Sequence, residues 1–236
     1  MEEIKEGMGT KIVKYSKGNS YSHIEAECVL AAVGRATNLE GIYVEKLGIE
    51  VDSKMNIKVN NMMETTAKGI YAVGDVTGGF QLAHSAYAQA EAAAENCMGG
   101  KLEVNLETMP RCICSIPQLA SAGLTEDNAR EKGIEIEKSM FPYAANGKAL
   151  AADEPCGFVK VICEKNSGKL LGVHILGSHA TELVSSAAIA INMGASAEGF
   201  QHMIFPHPTM SDLIKESVLS VKNMAIHISK SQRTEK

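Results

Sequence analysis

The chain has 236 residues, 45% hydrophobic and 22% charged, and its 23 Lys and Arg against 28 Asp and Glu leave a formal net charge of −5. That length fits one large domain or two ordinary ones, and the mild acidity argues against nucleic acid or an anionic membrane surface as the main partner. The apolar runs Cys28–Val33 and Ala187–Met193 fall far short of the roughly 18 residues a membrane span needs. No basic start followed by an apolar stretch marks a secretory leader. Six cysteines without dense or regular spacing suit a reducing compartment, expected to be the cytoplasm, better than a disulfide scaffold.

In chain order, Lys11–Tyr15, the turn Ser16–Asn19 and Tyr21–Glu25 read as a β-ribbon. Cys28–Val33 is a continuous apolar run ending at Gly34, expected to be a strand buried on both faces. Such a strand needs a sheet that a small ribbon cannot supply, so the chain is expected to begin in the middle of a domain. Leu47–Ile49 and Ile57–Val59 are short extended pieces, and Gly69–Val73 is expected to be a second buried strand, closed by Gly74-Asp75. Gln81–Met98 is Ala-rich with Leu, Gln and Glu, a strong helix composition, and Gly99-Gly100 stops it.

After Pro110 the pattern changes. Cys112–Ser115 is a short strand, and Thr125–Lys132 a short helix capped by Thr125 and ended by Gly133. Ile134–Phe141, Gly157–Glu164 and Leu170–Leu176 are strand candidates, the last two joined by the turn Lys165–Gly168. Thr181–Met193 and Ser211–Met224 are helices. Strands followed by helices predict an α+β unit with its helices on one face of an antiparallel sheet. The tail Ser229–Lys236 is polar and expected to fray.

The glycines make no complete nucleotide loop. The one G-x-G is Gly7-Met8-Gly9, with Ile12 where a third glycine would stand, and no G-x-x-x-x-G-K-[ST] occurs. The string Thr66–Val76, ending Ala72-Val73-Gly74-Asp75-Val76, carries more. Glycine lets a backbone approach a ligand closely, and a carboxylate at a strand end is a strong acceptor for sugar hydroxyls. Gln81-Leu82-Ala83-His84 then opens the Ala-rich helix, whose free N–H groups and partial positive charge suit an anionic group.

These strings resemble the second flavin motif of the FAD-dependent pyridine nucleotide–disulfide oxidoreductases. The resemblance implies that Gly74 and Asp75 meet the ribityl chain. It also implies that the backbone at Gln81, Leu82, Ala83 and His84 meets the flavin's N1–C2=O edge. Function there rests on the backbone of Leu82 and Ala83, and the His84 imidazole is expected in ordinary packing. Val33–Asn38 resembles the family's strand between the NAD and flavin domains, with Thr37 where Pro is usual, and Pro117–Glu126 resembles its dimerisation signature.

Phe205-Pro206-His207-Pro208-Thr209-Met210-Ser211-Asp212 resembles the family's active-site segment, most closely that of its dihydrolipoamide dehydrogenases. The resemblance implies that His207 is the acid–base catalyst for a dithiol, given to the flavin site of the other subunit and oriented by Asp212. Histidine exchanges protons near neutrality. Asp212 stands where Glu is usual and is one methylene shorter, so a longer or water-mediated bond is expected; Thr209-x-x-Asp212 also has the outline of a helix-start box. His202 with His207 lacks the companions of a zinc site, so no metal is expected. Cys112 and Cys114 read as packing, because alternate residues of a strand rarely permit a disulfide.

The expected fold is α/β plus α+β: the C-terminal piece of a FAD/NAD(P)-binding Rossmann-like domain, then an α+β dimerisation domain with an antiparallel sheet. Residues 1–35 would end the NAD-binding domain, 36–107 belong to the FAD-binding domain, 108–228 form the dimerisation domain, and 229–236 trail as a tail. The chain would supply a partial FAD site; NAD is implied for the complete reaction, but its glycine loop, the FAD loop and the redox cysteine pair are not found here. A C-terminal portion of a dihydrolipoamide dehydrogenase, inactive alone, is expected. The alternatives are part of a related disulfide reductase and a non-catalytic dimerisation subunit completed by a separate N-terminal half. A homodimer is expected, with an N-terminal half or a lipoyl-bearing 2-oxo acid dehydrogenase complex as further partner, and neither nucleic acid nor membrane.

Overall fold

The computed structural model describes residues 1–228; the expected frayed tail, 229–236, lies outside them. The chain opens with β1 (Glu3–Glu6), β2 (Lys11–Lys17) and β3 (Ser20–Ala26), an antiparallel ribbon in the order β1-β2-β3. Ile4 and Ile24 both lie opposite Val13, so these three apolar side chains share one face of the ribbon. The first strand, Glu-Ile-Lys-Glu, carries no apolar alternation that would announce it.

Cys28–Val33 forms no strand, contrary to expectation. Leu30 and Val33 are each 90% exposed. Apolar composition expresses a preference for burial, but a strand also needs a neighbour to take its hydrogen bonds, and no described strand lies beside it. Gly69–Val73 likewise makes only one antiparallel bridge, Glu64 to Tyr71. Leu47 ends α1 (Val44–Leu47), where an extended piece was predicted. A small cluster of Ile49, Ile57 and Ala72, padded by Leu39, Val59 and Ile70, holds this region together.

Side chains order its loops. Asp52 Oδ1 accepts from the amides of Lys54 and Asn56, and Asn60 Oδ1 from those of Met62 and Glu64, as Asx turns do. A 3-10 turn, Gly74–Thr77, leads to α2 (Ala83–Cys97), which matches the predicted Ala-rich helix. Its buried stripe is Ser85, Gln89, Ala92 and Asn96, a helical spacing that is mostly polar.

The rest of the chain runs β4 (Arg111–Ile113), β5 (Gln118–Gly123), α3 (Glu126–Glu131), β6 (Ile136–Pro142), α4 (Gly147–Ala151), β7 (Phe158–Glu164), β8 (Leu170–Gly177), α5 (Ala180–Asn192), α6 (Ala197–Gln201) and α7 (Asp212–Val221). The sheet is antiparallel in the order β4-β5-β8-β7-β6. Helix α5 packs on β4, β5 and β8, and α7 on β6 and β7. Their shared core contains Phe141, Val159, Val161, Val173, Leu183, Leu213 and Val218, as predicted for helices on one face. Thr125 caps α3 by accepting from Asn128 N at 3.1 Å.

Three elements of this C-terminal region escaped prediction. Strand β5, Gln-Leu-Ala-Ser-Ala-Gly, has small residues of weak strand preference and becomes a strand by pairing between β4 and β8. A Cβ at Gly123 would lie 2.1 Å from Leu171 O, so only glycine lets β5 and β8 approach there. Helices α4 and α6 have five residues each, started by side-chain caps from Asn146 and Ser196.

Candidate active site

Gly74 sits at φ 78°, in the left-handed region that glycine alone enters freely. Its amide donates to Gln89 Oε1 at 2.6 Å, which ties the turn to α2. The next residue, Asp75, is half-exposed, and Arg35 clasps it with Nη1 2.7 Å from Oδ2. The same guanidinium donates through Nη2 to Gln81 O at 2.6 Å. Arg35 therefore joins the carboxylate to the entrance of α2.

Leu82 is the N-cap of α2 and lends no side-chain cap. Its amide donates to Phe80 O at 2.9 Å, so Leu82 N–H has a partner within the turn. The extended N-cap folds back onto Phe80, and the open donors begin one residue later, at Ala83 and His84. Ala86 donates to Leu82 O and closes the first turn. The His84 imidazole contacts Pro110 O through Nε2 at 2.7 Å, the packing role expected of it. Ser85 Oγ is buried without a partner. Thr37, where Pro is usual, donates to Asn56 Oδ1 at 2.6 Å.

At the other end of the chain, His207 Nδ1 lies 2.7 Å from Asp212 Oδ2. The bond is direct, and the expected lengthening does not occur. Thr209 Oγ1 donates to Pro206 O at 2.7 Å and tightens the loop, which brings the ring within reach of the shorter carboxylate. Asp212 opens α7 and also accepts from Thr209 N at 3.3 Å, so one carboxylate orients the ring and serves the helix start. The Asp212 side chain is 10% exposed and the His207 ring 56%. An ionised carboxylate only accepts, which places the hydrogen on Nδ1 and leaves Nε2 as a base open to solvent.

Two further residues complete this corner. The His227 ring stacks on His207, with centroids 5.3 Å apart and planes 7° apart. Its Nδ1 is 3.4 Å from Glu216 Oε1, and Glu216 is 4% exposed. No hydrogen bond or ring contact among the described residues joins this corner to Asp75 or the start of α2.

Residues 1–90 match the family model described as pyridine nucleotide-disulphide oxidoreductase, and residues 109–218 match that family's dimerisation domain. The chain belongs to this family. The mitochondrial dihydrolipoyl dehydrogenase of Pisum sativum is 39% identical over 223 residues, which are 94% of this chain and 44% of that protein. The dihydrolipoyl dehydrogenase of Bacillus subtilis is 36% identical over 217 residues, 92% of this chain and 47% of that protein. The chain thus spans about half the length of the curated relatives it matches. LpdA from Mycobacterium tuberculosis shares its fold, with a TM-score of 0.84 at 24% identity over 92% of this chain and 47% of that one. The HOCl-induced flavoprotein disulfide reductase RclA from Escherichia coli gives a TM-score of 0.78 at 25% identity over 92% and 49%.

Flavin is the cofactor such pyridine nucleotide-disulphide oxidoreductases imply, and the residues present fit it. A half-exposed carboxylate suits sugar hydroxyls, and the exposed N–H groups of Ala83 and His84 at the uncapped start of a 15-residue helix suit a developing anion. Cys112 is half-buried and Cys114 exposed, both free thiols, and burial together with Cys114 raises the Cys112 thiol. No group of three or more His, Cys, Asp or Glu that could hold a metal occurs among the described residues.

Sequence reasoning missed Arg35, Gln89, Glu216 and His227 as members of these sites. Gln89 had a signal, since it repeats Ser85 by one helical turn on an Ala-rich helix. The other three had none, because their partners lie 40, 11 and 20 residues away.

Proposed function

We propose that this chain carries the C-terminal part of a flavin-dependent dihydrolipoamide dehydrogenase, which oxidises dihydrolipoamide to lipoamide and reduces NAD to NADH. The observation that carries the reading is the direct 2.7 Å contact between His207 Nδ1 and Asp212 Oδ2, with the rest of the ring open. In this reading His207 Nε2 takes a proton from a dithiol sulfur and the resulting thiolate attacks a disulfide. Asp212 holds the ring in the tautomer that has its base at Nε2.

Gly74 and Asp75 receive the ribityl chain. Gln81 O stays with Arg35, and the amides of Ala83 and His84 face the flavin's pyrimidine edge, where α2 opposes no negative charge. Bound FAD supplies the two-electron passage between disulfide and nicotinamide. Residues 108–228 are assigned to the dimer interface, with 1–35 and 36–107 belonging to the NAD and FAD domains. Pairing of two chains would deliver His207 of one protomer to the flavin residues of its partner, which agrees with their separation within one chain. The free thiols agree with a reducing compartment, the cytoplasm, and a lipoyl-bearing 2-oxo acid dehydrogenase complex is the partner assigned.

Co-expression with a chain bearing the FAD glycine loop, the redox cysteine pair and the NAD glycine loop tests the reading. The pair is expected to oxidise dihydrolipoamide with NAD, and these 236 residues alone to show little or no turnover. His207→Ala is expected to lower kcat by about 100- to 10,000-fold. Full turnover in that variant would overturn the assignment. A related disulfide reductase is the second reading, favoured by the likeness to RclA; steady-state rates with dihydrolipoamide against other disulfides separate the two.

A further inference from the structure

His207 is not a solitary imidazole. Its ring lies parallel to that of His227 at 5.3 Å, and each ring has its own carboxylate: Asp212 for the first, Glu216 for the second. Glu216 is nearly fully buried and accepts from the amides of Ile226 at 2.8 Å and His227 at 2.9 Å. Those two bonds fix both the carboxylate and the chain that follows α7. They place the second ring over the first with little freedom.

We propose that His227 and Glu216 form a second imidazole–carboxylate pair electrostatically coupled to His207–Asp212, so that the two rings take up protons in two steps and not together. Two like charges at this separation repel appreciably at the edge of a protein, and interacting sites titrate as a pair. Stacked rings share no hydrogen bond, so no proton passes between them; the coupling acts through charge. His227 is accordingly a positioning residue that biases the charge state of His207.

Most other charges on α7 and on the elements packed against it have partners of their own. Lys215, on the same helix, donates Nζ to Met203 O and lies over the Phe205 ring. On the elements packed against α7, Glu137 pairs with Lys222, Lys138 and Lys160 with Glu126, and Glu164 with Ser167. One hydroxyl from each side joins the sheet and α7: Ser139 donates to Ser217 O, and Ser217 donates to Val159 O. Glu198 stands in the first turn of α6 and His202 at its end.

This inference rests on the acid–base reading of His207 for its functional weight, but the coupling is measurable without catalysis. The experiment is an NMR titration of the imidazole resonances of the full chain, assigned by single-histidine replacement. Wild type is expected to give broadened, two-step curves for His207 and His227. Replacing either ring by Phe, His227→Phe or His207→Phe, keeps an aromatic stack and removes the charge. The remaining ring then titrates in one step, and the one that protonates second in wild type moves to higher pH by about half a pH unit or more.

Curves that do not move in either variant would overturn the coupling. Should neither variant fold, wild type alone decides, since two independent single-step curves also refute it. In the complete enzyme, where the titration shows His207 to be the ring that protonates second, His227→Phe is expected to move the acidic limb of the pH–rate profile to higher pH. Failure of the catalytic reading would show instead as undiminished turnover of His207→Ala, whatever the titration gives.

Discussion

Residues 36–107 and 109–228 satisfy their backbones by different means. In the second region a five-stranded sheet pairs strand with strand, and two long helices cover one face over a continuous apolar core. The first region has isolated bridges and a small apolar cluster. Beside α2 and single backbone bonds such as Ile57 N to Val76 O, side chains hold this region: Asp52 and Asn60 close turns, Gln89 holds Gly74 N, and Asn96 bonds Met62 O, Leu102 O and Leu102 N. Buried polar backbone must find partners somewhere, and where no ladder forms, Asn, Asp and Gln take its place. Gly74 and Asp75 therefore sit on a framework of specific bonds, and His207 sits on a packed core.

That contrast predicts where damage spreads. Phe141→Ala opens a cavity in the continuous core, where Phe141 is fully buried, and is expected to cost about 3–5 kcal/mol. The urea midpoint of the whole C-terminal region should drop; an unchanged midpoint would break the picture of one core. Asn96→Ala removes three bonds at a buried site and is expected to cost about 1–3 kcal/mol locally. Hydrogen exchange at the Leu102 amide should quicken roughly tenfold or more, while the amides of β7 and β8 keep their protection. Loss of protection in the sheet as well would show that the regions unfold as one.

A smaller effect comes from Glu126, whose carboxylate takes hydrogen bonds from Lys138 and Lys160 that lower it from 4.5 to about 2. The folded value lies below the unfolded one, so the stabilisation is complete above about pH 4.5 and is lost as pH falls toward 2. Urea midpoints at about pH 6 and about pH 3 should fall further apart for wild type than for Glu126→Gln. Equal differences would remove Glu126 from the acid response. The mildest test is thiol labelling of the folded chain. Cys28, Cys97, Cys114 and Cys156 are exposed and should react with maleimide, whereas Cys163 is buried, its thiol pushed up to about 12, and should not.

Much of the C-terminal region was legible. Its strands from Ile136 and Phe158 onward and the helices α5 and α7 were located by apolar periodicity and by the glycines that end them. The N-terminal half was less legible for a physical reason: Cys28–Val33 and Gly69–Val73 have strand composition, but a strand exists only with a partner. The site divided in the same way. Asp212 could be placed beside His207 because five residues and a helix start separate them, whereas Arg35 reaches Asp75 across forty.

By itself the sequence determined the family and the chemistry on offer. Gly74-Asp75 before an Ala-rich helix and the histidine in Phe205–Asp212 are local patterns whose residue types and spacing are their meaning. Only the tertiary structure decided that Arg35 clasps Asp75, that Leu82 N–H is spent on Phe80, and that His227 lies over His207. Those contacts depend on the path of the chain between distant residues, or on which way one amide turns. Periodicity along a sequence carries no record of either.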